Sequence, residues 1–402
     1  MVHSLTNRLI LMLCLGFVAV PGRAQQPSEP SDQFTTVVLP TGGDPGPLTV
    51  ADVNDDRNLD IIAANPESGT VTVLLGDGKG HFHPAPGSPF TAGHLPNDVG
   101  VADFNGDGYP DLLIANHQTP YVTLLLGDGH GAFRPAPHSP FTTHSAPHPH
   151  GVAIGHFCGS GRPLDAVIDS WATSQVELLT GDARGNLENG PMFPAGPGSD
   201  RPLRSADFNR DGFPDIVMPD TAIGHWNSQK LSLLLGDGQC GFRPAPGSPF
   251  SAGAVPWSIA VGDLNGDGAP DLVVLPYGPQ VRDPKAIAAT VLLGDGRGAF
   301  RAATGSPYPL PGCTSPLDIA TGNLTGQGPT DFVVTCMQSE TILLFSGNAS
   351  QGYRVFALAA PTGKTHPPTG RGVALADLTG RGRSDIIFSN GSAETITLLL
   401  HK

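Results

Sequence analysis

The sequence predicts an all-β fold, a closed ring of seven four-stranded sheets known as a seven-bladed β-propeller. Three observations predict it. The 402 residues include 53 glycines and 41 prolines, which favours many short strands joined by turns. Only 14% of the residues are charged, which argues against helical bundles and coiled coils, whose outer faces need charge. The third observation is a segment that recurs seven times along the chain.

The repeated unit is clearest in Val101–Ala136, which reads VADFNGDGYPDLLIANHQTPYVTLLLGDGHGAFRPA. It contains an Asp-rich loop, two apolar runs and a Gly-Asp-Gly turn. Successive loops open 51 to 60 residues apart, which is too long for ankyrin or tetratricopeptide repeats and typical of propeller blades. The seven loops open at Asp52, Asp103, His156, Asp207, Asp263, Asn323 and Asp377.

Each unit predicts four strands, shown here for the second unit. They cover Asp98–Asp103, Asp111–Ala115 and Tyr121–Leu126, and the fourth begins near Phe133 after the Gly-Asp-Gly turn. The first strand alternates small and bulky residues, as expected where seven sheets taper toward an axis. Arg204 breaks this pattern. We interpret it as a salt-bridge residue, with an anion site as the alternative.

The two ends of the chain predict how the ring closes. The last unit ends at Lys402 after its third strand, and Gln33-Phe34 aligns with the Gly-Phe pair that opens a fourth strand elsewhere. We therefore expect the first strand to complete the last blade, because this removes the free sheet edges. Residues 25–402 then form a single propeller domain.

The first 24 residues have the pattern of an export signal. Arg8 precedes the apolar run Leu9–Val20, and the small residues Gly22 and Ala24 mark a cleavage site after Ala24. The run is too short to span a bilayer as a helix. We expect a secreted, periplasmic or cell-surface monomer with no membrane span. The net charge of −14 argues against a nucleic-acid partner, which needs a basic surface.

Four cysteines follow the predicted export signal, and an exported protein can oxidise them. Cys313 and Cys336 fall within one repeat, so they are the favoured disulfide pair. Reduced and buried thiols are the alternative for these two residues and for Cys158 and Cys240.

The Asp-rich loops carry the most specific chemistry. Four of them follow Asp-x-Asn-x-Asp-Gly-x-x-Asp or nearly so, with Arg57 replacing the glycine in the first. Oxygens at positions 1, 3, 5 and 9 can converge on one ion, and an all-oxygen set favours Ca²⁺. Self-capped Asx turns are the alternative. The predicted ligands of about four Ca²⁺ sites are Asp52/Asn54/Asp56/Asp60, Asp103/Asn105/Asp107/Asp111, Asp207/Asn209/Asp211/Asp215 and Asp263/Asn265/Asp267/Asp271.

The other three loops are expected to be free of metal. The loops that open at His156 and Asn323 have almost no carboxylates. The loop that opens at Asp377 has Arg381 at a ligand position, where its guanidinium is expected to pair with the neighbouring carboxylates.

The Asp-rich loop, the repeat length and the LLGDGxGxF hairpin together resemble the FG-GAP/VCBS repeat family, which includes the α-integrin headpiece and bacterial exported propellers. The resemblance covers nearly all of Thr35–Lys402. It implies a seven-bladed propeller with Ca²⁺ in the loops between the first and second strands of each blade. It also implies roles in adhesion or in the recognition of sugars or proteins. The three degenerate loops depart from the family pattern.

The face opposite the Asp-rich loops, here called the ligand face, has a different composition. A ring of varied residues lies six positions before each loop opening, where we expect the mouth of the channel. The ring is Gly46, Asn97, His150, Arg201, Trp257, Leu317 and Arg371. Aromatic and Arg side chains favour interfaces, and packing between blades is the alternative role. The predicted ligand-binding residues are Asn97, His150, Trp171, Arg201, Trp226, Trp257, Tyr277 and Arg371.

The sequence thus predicts a calcium-stabilised recognition or adhesion module that binds a glycan or an extracellular or surface protein. No catalytic constellation is recognisable. The alternative is a carbohydrate-active enzyme, a lyase or glycosidase, at the channel mouth, for which Asp98, Asp220 and Asp318 would have to converge. A structural element of a larger surface assembly is a third hypothesis.

Overall fold

Seven antiparallel sheets form a ring in the computed structural model. The inner strand of each sheet contacts that of the next, and the seventh contacts the first around a central channel. This confirms the predicted seven-bladed propeller. The structure describes residues 33–144, 149–170, 174–195, 203–220, 228–313, 315–326, 331–336, 341–359 and 372–402.

The strands are numbered in chain order and the blades by the repeat that supplies them. Before blade 1 lies β1, Phe34–Pro40. Blades 1 and 2 contain β2 Leu48–Ala51, β3 Asp60–Asn65, β4 Thr70–Gly76, β5 Phe82–Pro84, β6 Phe90–Thr91, β7 Pro96–Ala102, β8 Asp111–Asn116, β9 Tyr121–Gly127, β10 Phe133–Pro135 and β11 Phe141–Thr142. Blades 3 and 4 contain β12 Val152–Gly155, β13 Asp165–Ser170, β14 Gln175–Gly181, β15 Leu187–Pro194, β16 Arg204–Ala206, β17 Asp215–Pro219, β18 Lys230–Gly236, β19 Phe242–Pro244 and β20 Phe250–Ser251.

Blades 5 to 7 continue the same order. They contain β21 Pro256–Gly262, β22 Asp271–Pro276, β23 Ala288–Gly294, β24 Phe300–Ala302, β25 Tyr308–Pro309, β26 Pro316–Gly322, β27 Asp331–Cys336, β28 Thr341–Asn348, β29 Gly352–Ala359, β30 Val373–Ala376, β31 Asp385–Asn390 and β32 Thr395–His401. Single-turn 3-10 helices cover Gly278–Gln280, Pro284–Ala286 and Gly391–Ala393. Among the described residues, no helix has the length and apolar character needed to cross a membrane.

The ring closes as the chain ends predict. Strand β1 pairs along its whole length with β32 of blade 7, with Phe34 opposite His401 and Pro40 opposite Thr395. Phe34 is buried and belongs to the core between blades 6 and 7. The first strand of the chain therefore supplies the fourth strand of the last blade.

The fourth strand differs between blades, which the sequence analysis did not predict. It is continuous in blades 3, 6 and 7 and split into two short segments in blades 1, 2, 4 and 5. At each break a serine hydroxyl accepts a hydrogen bond from the third strand, in place of a backbone carbonyl. The serines are Ser88, Ser139, Ser248 and Ser306, at 2.9–3.0 Å. The split strands occur in the four blades that carry the complete Asp-rich loops.

The hydrophobic core lies between neighbouring blades. Blade 1 side chains such as Ile62 pack with blade 2 side chains such as Leu112, because second and third strands are buried on both faces. Small inner-strand residues permit the taper toward the axis: a Cβ on Gly100 would collide with Ile154 of the next blade. Burial of these apolar surfaces holds the blades in a rigid ring.

Candidate functional site

The aspartate at loop position 9 lies at the base of every Asp-rich loop. In blade 2, the two carboxylate oxygens of Asp111 accept hydrogen bonds from Phe104 N at 2.8 Å and Gly127 N at 2.9 Å. The same two bonds recur in blades 3, 6 and 7, whose loops are degenerate. There too, the aspartate accepts from a residue near the start of the loop and from the end of the third strand. The seven aspartates, all at most 1% exposed, are Asp60, Asp111, Asp165, Asp215, Asp271, Asp331 and Asp385. Position 9 is therefore a structural clamp as well as a predicted ligand, a role that sequence analysis missed.

Positions 1, 3 and 5 curl each complete loop around its own side chains. In blade 2, Asp103 Oδ2 accepts from Gly108 N at 2.9 Å, and Asn105 Oδ1 accepts from Asp107 N at 2.9 Å. The remaining complete loops have the same bonds. Arg57 adopts φ 69°, close to the left-handed conformation of Gly108, so the first loop closes without its glycine.

The asparagine at position 3 is bonded to the carboxylate at position 5 in all four complete loops, which differs from the convergence on a shared point that the sequence predicts. In blade 1, Asn54 Nδ2 donates to Asp56 Oδ2 at 3.1 Å. The equivalent bonds, each 2.8 Å long, are Asn105 Nδ2 to Asp107 Oδ2, Asn209 Nδ2 to Asp211 Oδ2 and Asn265 Nδ2 to Asp267 Oδ2. An amide N–H two residues away is a near donor for the carboxylate, so each loop is closed by its own side chains here, and Ca²⁺ ligation stays a prediction.

All sixteen predicted Ca²⁺ ligands lie in these four closed loops. In the described part of the chain, no three His, Cys, Asp or Glu side chains form a ready-made metal cluster. The ligand sets therefore stay predictions, and an ion would have to replace the bonds between positions 3 and 5. The sets are Asp52/Asn54/Asp56/Asp60, Asp103/Asn105/Asp107/Asp111, Asp207/Asn209/Asp211/Asp215 and Asp263/Asn265/Asp267/Asp271.

The donor set of each complete loop fits a hard divalent cation. Three carboxylates and one asparagine amide oxygen are the ligand types that Ca²⁺ takes. To bind an ion, the asparagine would give up the bond from its Nδ2 to the position 5 carboxylate and use its Oδ1 as a ligand. That Oδ1 is already an acceptor, for the backbone N–H at position 5.

The closed loops concentrate negative charge. Burial raises the pKa of Asp60, Asp111 and Asp271 to about 6. Burial also raises the pKa of Asp215 to about 7. Backbone hydrogen bonds lower each pKa, and the carboxylates at positions 5 and 1 raise it further. A bound cation would remove this repulsion.

Two of the three degenerate loops are closed by other contacts. In blade 7, the Arg381 guanidinium donates to the carbonyl of His401. Among the described contacts it forms no ion pair with the neighbouring carboxylates, which the sequence led us to expect. In blade 6, Thr325 Oγ1 donates to Asp331 Oδ2 at 3.0 Å. Residues 327–330 of that loop lie outside the described part of the chain.

The third degenerate loop, in blade 3, is joined to blade 4 by a disulfide between Cys158 and Cys240. Cys158 stands at loop position 3, and Cys240 stands where the other Gly-Asp hairpins have a glycine. Cys240 N also donates to Phe157 O at 3.1 Å, a bond between blades that recurs elsewhere. The equivalent bonds are Gly185 N to Phe104 O, Gly298 N to Phe208 O and Ala349 N to Leu264 O. The disulfide therefore reinforces a contact that the repeat already makes.

The second disulfide joins Cys313 to Cys336, as predicted from their position in one repeat. It ties the segment before blade 6 to the end of β27. Both sulfurs are buried in the core between blades 5 and 6.

The structure describes half of the predicted ligand-binding residues. Trp171, Arg201, Trp226 and Arg371 lie outside the described residues. Trp257 is 6% exposed and stacks on Tyr277 with 4.2 Å between ring centroids. That contact lies within blade 5, so ligand binding by Trp257 and its alternative, packing between blades, both stay predictions.

Asn97 and His150 belong to a polar cluster between blades 2 and 3. Asn97 Nδ2 donates to His150 O at 2.7 Å, and His150 Nδ1 lies 3.5 Å from Asp169 Oδ2. The His150 ring also contacts His117, with 4.5 Å between centroids. Asp169 is fully buried, and its Oδ1 accepts from His150 N and Gly151 N at 2.8 and 2.7 Å. Sequence analysis missed Asp169. The signal was available, because the other repeats have small or apolar residues at that position and only this one has a carboxylate.

Charged side chains also enter the channel. Arg204 Nη1 lies 3.9 Å from Asp98 Oδ2, which supports its interpretation as a salt-bridge residue. Burial raises the pKa of Asp98 and that of Asp318, and the Arg204 charge lowers both. The Arg204–Asp98 ion pair joins blades 4 and 2. Asp220, the third aspartate of the enzyme hypothesis, is buried in blade 4.

The ring of four-stranded sheets and its Asp-rich loops define a repeat-built β-propeller. The chain matches the FG-GAP-like repeat over residues 52–114, 103–163 and 207–274. These matches within a seven-bladed ring support the FG-GAP-like propeller family that the sequence resemblance predicted. No curated protein matches the chain in sequence.

Solved structures share the fold at low identity. BBS1N, in complex with ARL6DN, has a TM-score of 0.60 and 11% identity over 92% of this chain and 97% of that one. A catalytically inactive virginiamycin B lyase from Staphylococcus aureus with quinupristin has a TM-score of 0.54 and 13% identity over 92% of this chain and 100% of that one. An Agrocybe aegerita lectin that recognises non-reducing terminal N-acetylglucosamine has a TM-score of 0.52 and 16% identity over 89% of this chain and 86% of that one. At these identities the similarity concerns the fold alone.

Proposed function

We propose that the protein is a calcium-stabilised recognition module that binds a glycan or an extracellular or surface protein on its ligand face. The observation that carries the calcium part is the concentration of three carboxylates and an amide oxygen in each of four closed loops. The pKa of the position 9 carboxyl is raised there by burial and by its carboxylate neighbours. A divalent ion would stabilise each loop by balancing that charge.

The ligand part of the proposal is supported by departures from the repeat in blades 2 to 4. His150, Asp169 and Arg204 have no counterpart at the same positions of the other blades. Buried polar groups are costly unless they are paired, so such departures favour a role in recognition. FG-GAP-like propellers are ligand-binding modules in general terms, and the fold neighbours include a lectin and a protein in complex with a partner.

The cellular setting is proposed from the export signal in residues 1–24 and from the two disulfides. Disulfides persist in oxidising compartments. Both features support a protein that is secreted, periplasmic or displayed on the cell surface, and we propose that it is a monomer.

Two arrays test this proposal, one of glycans and one of extracellular proteins. Each is probed with the protein in calcium and again after calcium removal. We expect binding in calcium that weakens on chelation, and weakens in a His150→Gln variant that melts like the wild type. If neither array is bound in calcium, the recognition proposal is wrong.

A second candidate function is carbohydrate cleavage at the channel mouth. It is favoured by Asp98, whose pKa is raised by burial and by the nearby charge of Asp169, because a protonated carboxyl can serve as a general acid. Incubation with polysaccharides distinguishes the two functions: shortened or unsaturated products that disappear in Asp98→Asn would establish the enzyme.

A further inference from the structure

We propose that the channel beneath the ligand face, where blades 1 to 4 meet, binds a neutral vicinal diol, the pair of adjacent hydroxyls that most sugars present. The inference rests on the proposed recognition function and names the chemical class of ligand that the channel takes.

The site is an open cavity of about 360 Å³ between the inner strands of blades 1 to 4. Its volume falls at the lower end of the range for small-molecule sites, about 300–1,000 Å³. Val99, Val152 and Leu203 also line it, but their side chains are at most 8% exposed and pack in the cores between blades.

Two charged side chains line this cavity among the described residues, Asp98 and Arg204. The gap between Asp98 Oδ2 and Arg204 Nη1 is 3.9 Å, which is too long for a direct hydrogen bond. Their side chains are 16% and 35% exposed, so both can be reached from the channel. A carboxylate acceptor and a guanidinium donor therefore stand side by side on the cavity wall.

Backbone groups hold both side chains in place and leave them further bonding capacity. Asp98 accepts from Val99 N at 3.1 Å and from Val152 N at 3.2 Å. Arg204 Nη1 donates to Leu203 O at 3.1 Å. A carboxylate has about four acceptor sites and a guanidinium has five N–H donors, so each can still bind a ligand.

The charge of the pair favours a neutral ligand. While Asp98 is ionised, it would repel an anion, and Arg204 would repel a cation. Two adjacent hydroxyls suit this acceptor and donor without carrying charge, because one can donate to Asp98 while the other accepts from Arg204. Hydrogen bonds to charged groups are stronger than neutral ones, which gives the pair selectivity for a diol.

Asp318 is the equivalent of Asp98 in another blade, and its substitution serves as the matched control. It occupies the position of Asp98 in blade 6 and accepts from Val373 N of the next blade at 3.0 Å, as Asp98 accepts from Val152 N. Its other oxygen accepts from Ser258 Oγ at 2.8 Å, and it does not line the cavity. A change at Asp318 should therefore disturb the same kind of clamp between blades and leave Asp98 and Arg204 in place, so it should affect diol binding much less than a change at either of them.

Ligand-observed NMR titration of the full chain tests the site with glucose, galactose, mannose, fucose and N-acetylglucosamine, with glucuronate and glucosamine as charged counterparts. We expect at least one neutral sugar to bind at least 10-fold more tightly than its charged counterpart. Asp98→Asn and Arg204→Lys should each weaken that binding at least 10-fold, and Asp318→Asn should leave it within 2-fold. Melting curves establish that all three variants are folded.

Preferred binding of glucuronate or glucosamine would overturn the inference, as would unchanged sugar binding in folded Asp98→Asn and Arg204→Lys. If the protein binds array glycans and these variants bind them equally, the channel site is wrong while the proposed recognition function stands. If the protein binds neither the arrays nor any sugar in the titration, both proposals are wrong.

Discussion

Cys158 at position 3 of the blade 3 loop is bonded to Cys240 in the hairpin of blade 4. Complete loops have a predicted asparagine ligand at that position, and most of the matching hairpins have a glycine. One of the three loops without predicted ligands is thus joined covalently to its neighbour. We infer that the disulfide replaces a cation as the brace of this loop.

Removing that disulfide should destabilise the propeller without changing its calcium content. We expect Cys158→Ser/Cys240→Ser to lower the free energy of unfolding by about 2–5 kcal/mol, because the crosslink restricts the unfolded chain. Chemical denaturation measures the loss, and Cys313→Ser/Cys336→Ser serves as the matched pair. A lower calcium stoichiometry in the first double variant would contradict the assignment of the blade 3 loop as metal-free.

Two aspartates of the blade 4 loop should respond differently to substitution. Asp215→Ala leaves Phe208 N and Gly236 N without their acceptor, so it should cost about 2–4 kcal/mol even in calcium-free buffer. Asp211→Ala removes an exposed predicted ligand, so it should lose one calcium ion with little effect on calcium-free stability. Denaturation and calcium-binding measurements on both variants check this, and an unchanged stoichiometry in Asp211→Ala would count against the site.

Stability of the calcium-free protein should fall as the pH rises from about 4 to about 7. The pKa of Asp215 is about 7 when folded, above the value of about 3.9 in an unfolded chain. The folded state therefore binds more protons in this window, and its stabilisation is lost as they leave.

Melting temperatures of metal-free protein across that pH range measure this effect. Asp215→Asn lacks one of the titrating groups and should show a shallower decline than the wild type. Saturating calcium should remove the decline, because the ion takes the place of the protons. A melting temperature that rises between pH 4 and 7 in metal-free wild type would contradict the prediction.

The closing strand offers a matched pair of substitutions. Phe34 is 8% exposed and Val38 is 47% exposed in the same strand. Phe34→Ala should cost about 3 kcal/mol, as large core truncations do, and Val38→Ala well under 1 kcal/mol. Deletion of residues 25–39 should abolish cooperative unfolding. Equal effects of the two substitutions in denaturation curves would show that β1 does not secure the ring.

The repeat made the blades and their closure predictable. Each unit repeats the same loop and hairpin motifs, and Gln33-Phe34 aligns with the Gly-Phe pair that opens a fourth strand elsewhere, so the pairing of β1 with β32 follows from alignment. The Cys313–Cys336 pair was accessible for the same reason, since both residues lie in one unit.

Contacts between blades were less predictable. The Cys158–Cys240 bond joins residues 82 positions apart, and only the structure shows that a hairpin packs on the preceding blade's loop. The burial of Trp257 against Tyr277 depends likewise on how a connection folds over its blade. The structural role of position 9 was hidden because the same aspartates fit a calcium motif.

Calcium stoichiometry shows whether the four complete loops bind metal. Protein equilibrated with calcium, freed of excess ion and analysed for bound metal should contain about four ions per chain, one for each complete loop. Its melting temperature should fall on chelation, because an ion bound only by the folded state stabilises that state. A chain that binds no calcium, with a melting temperature unaffected by chelation, would show that the four complete loops are not calcium sites.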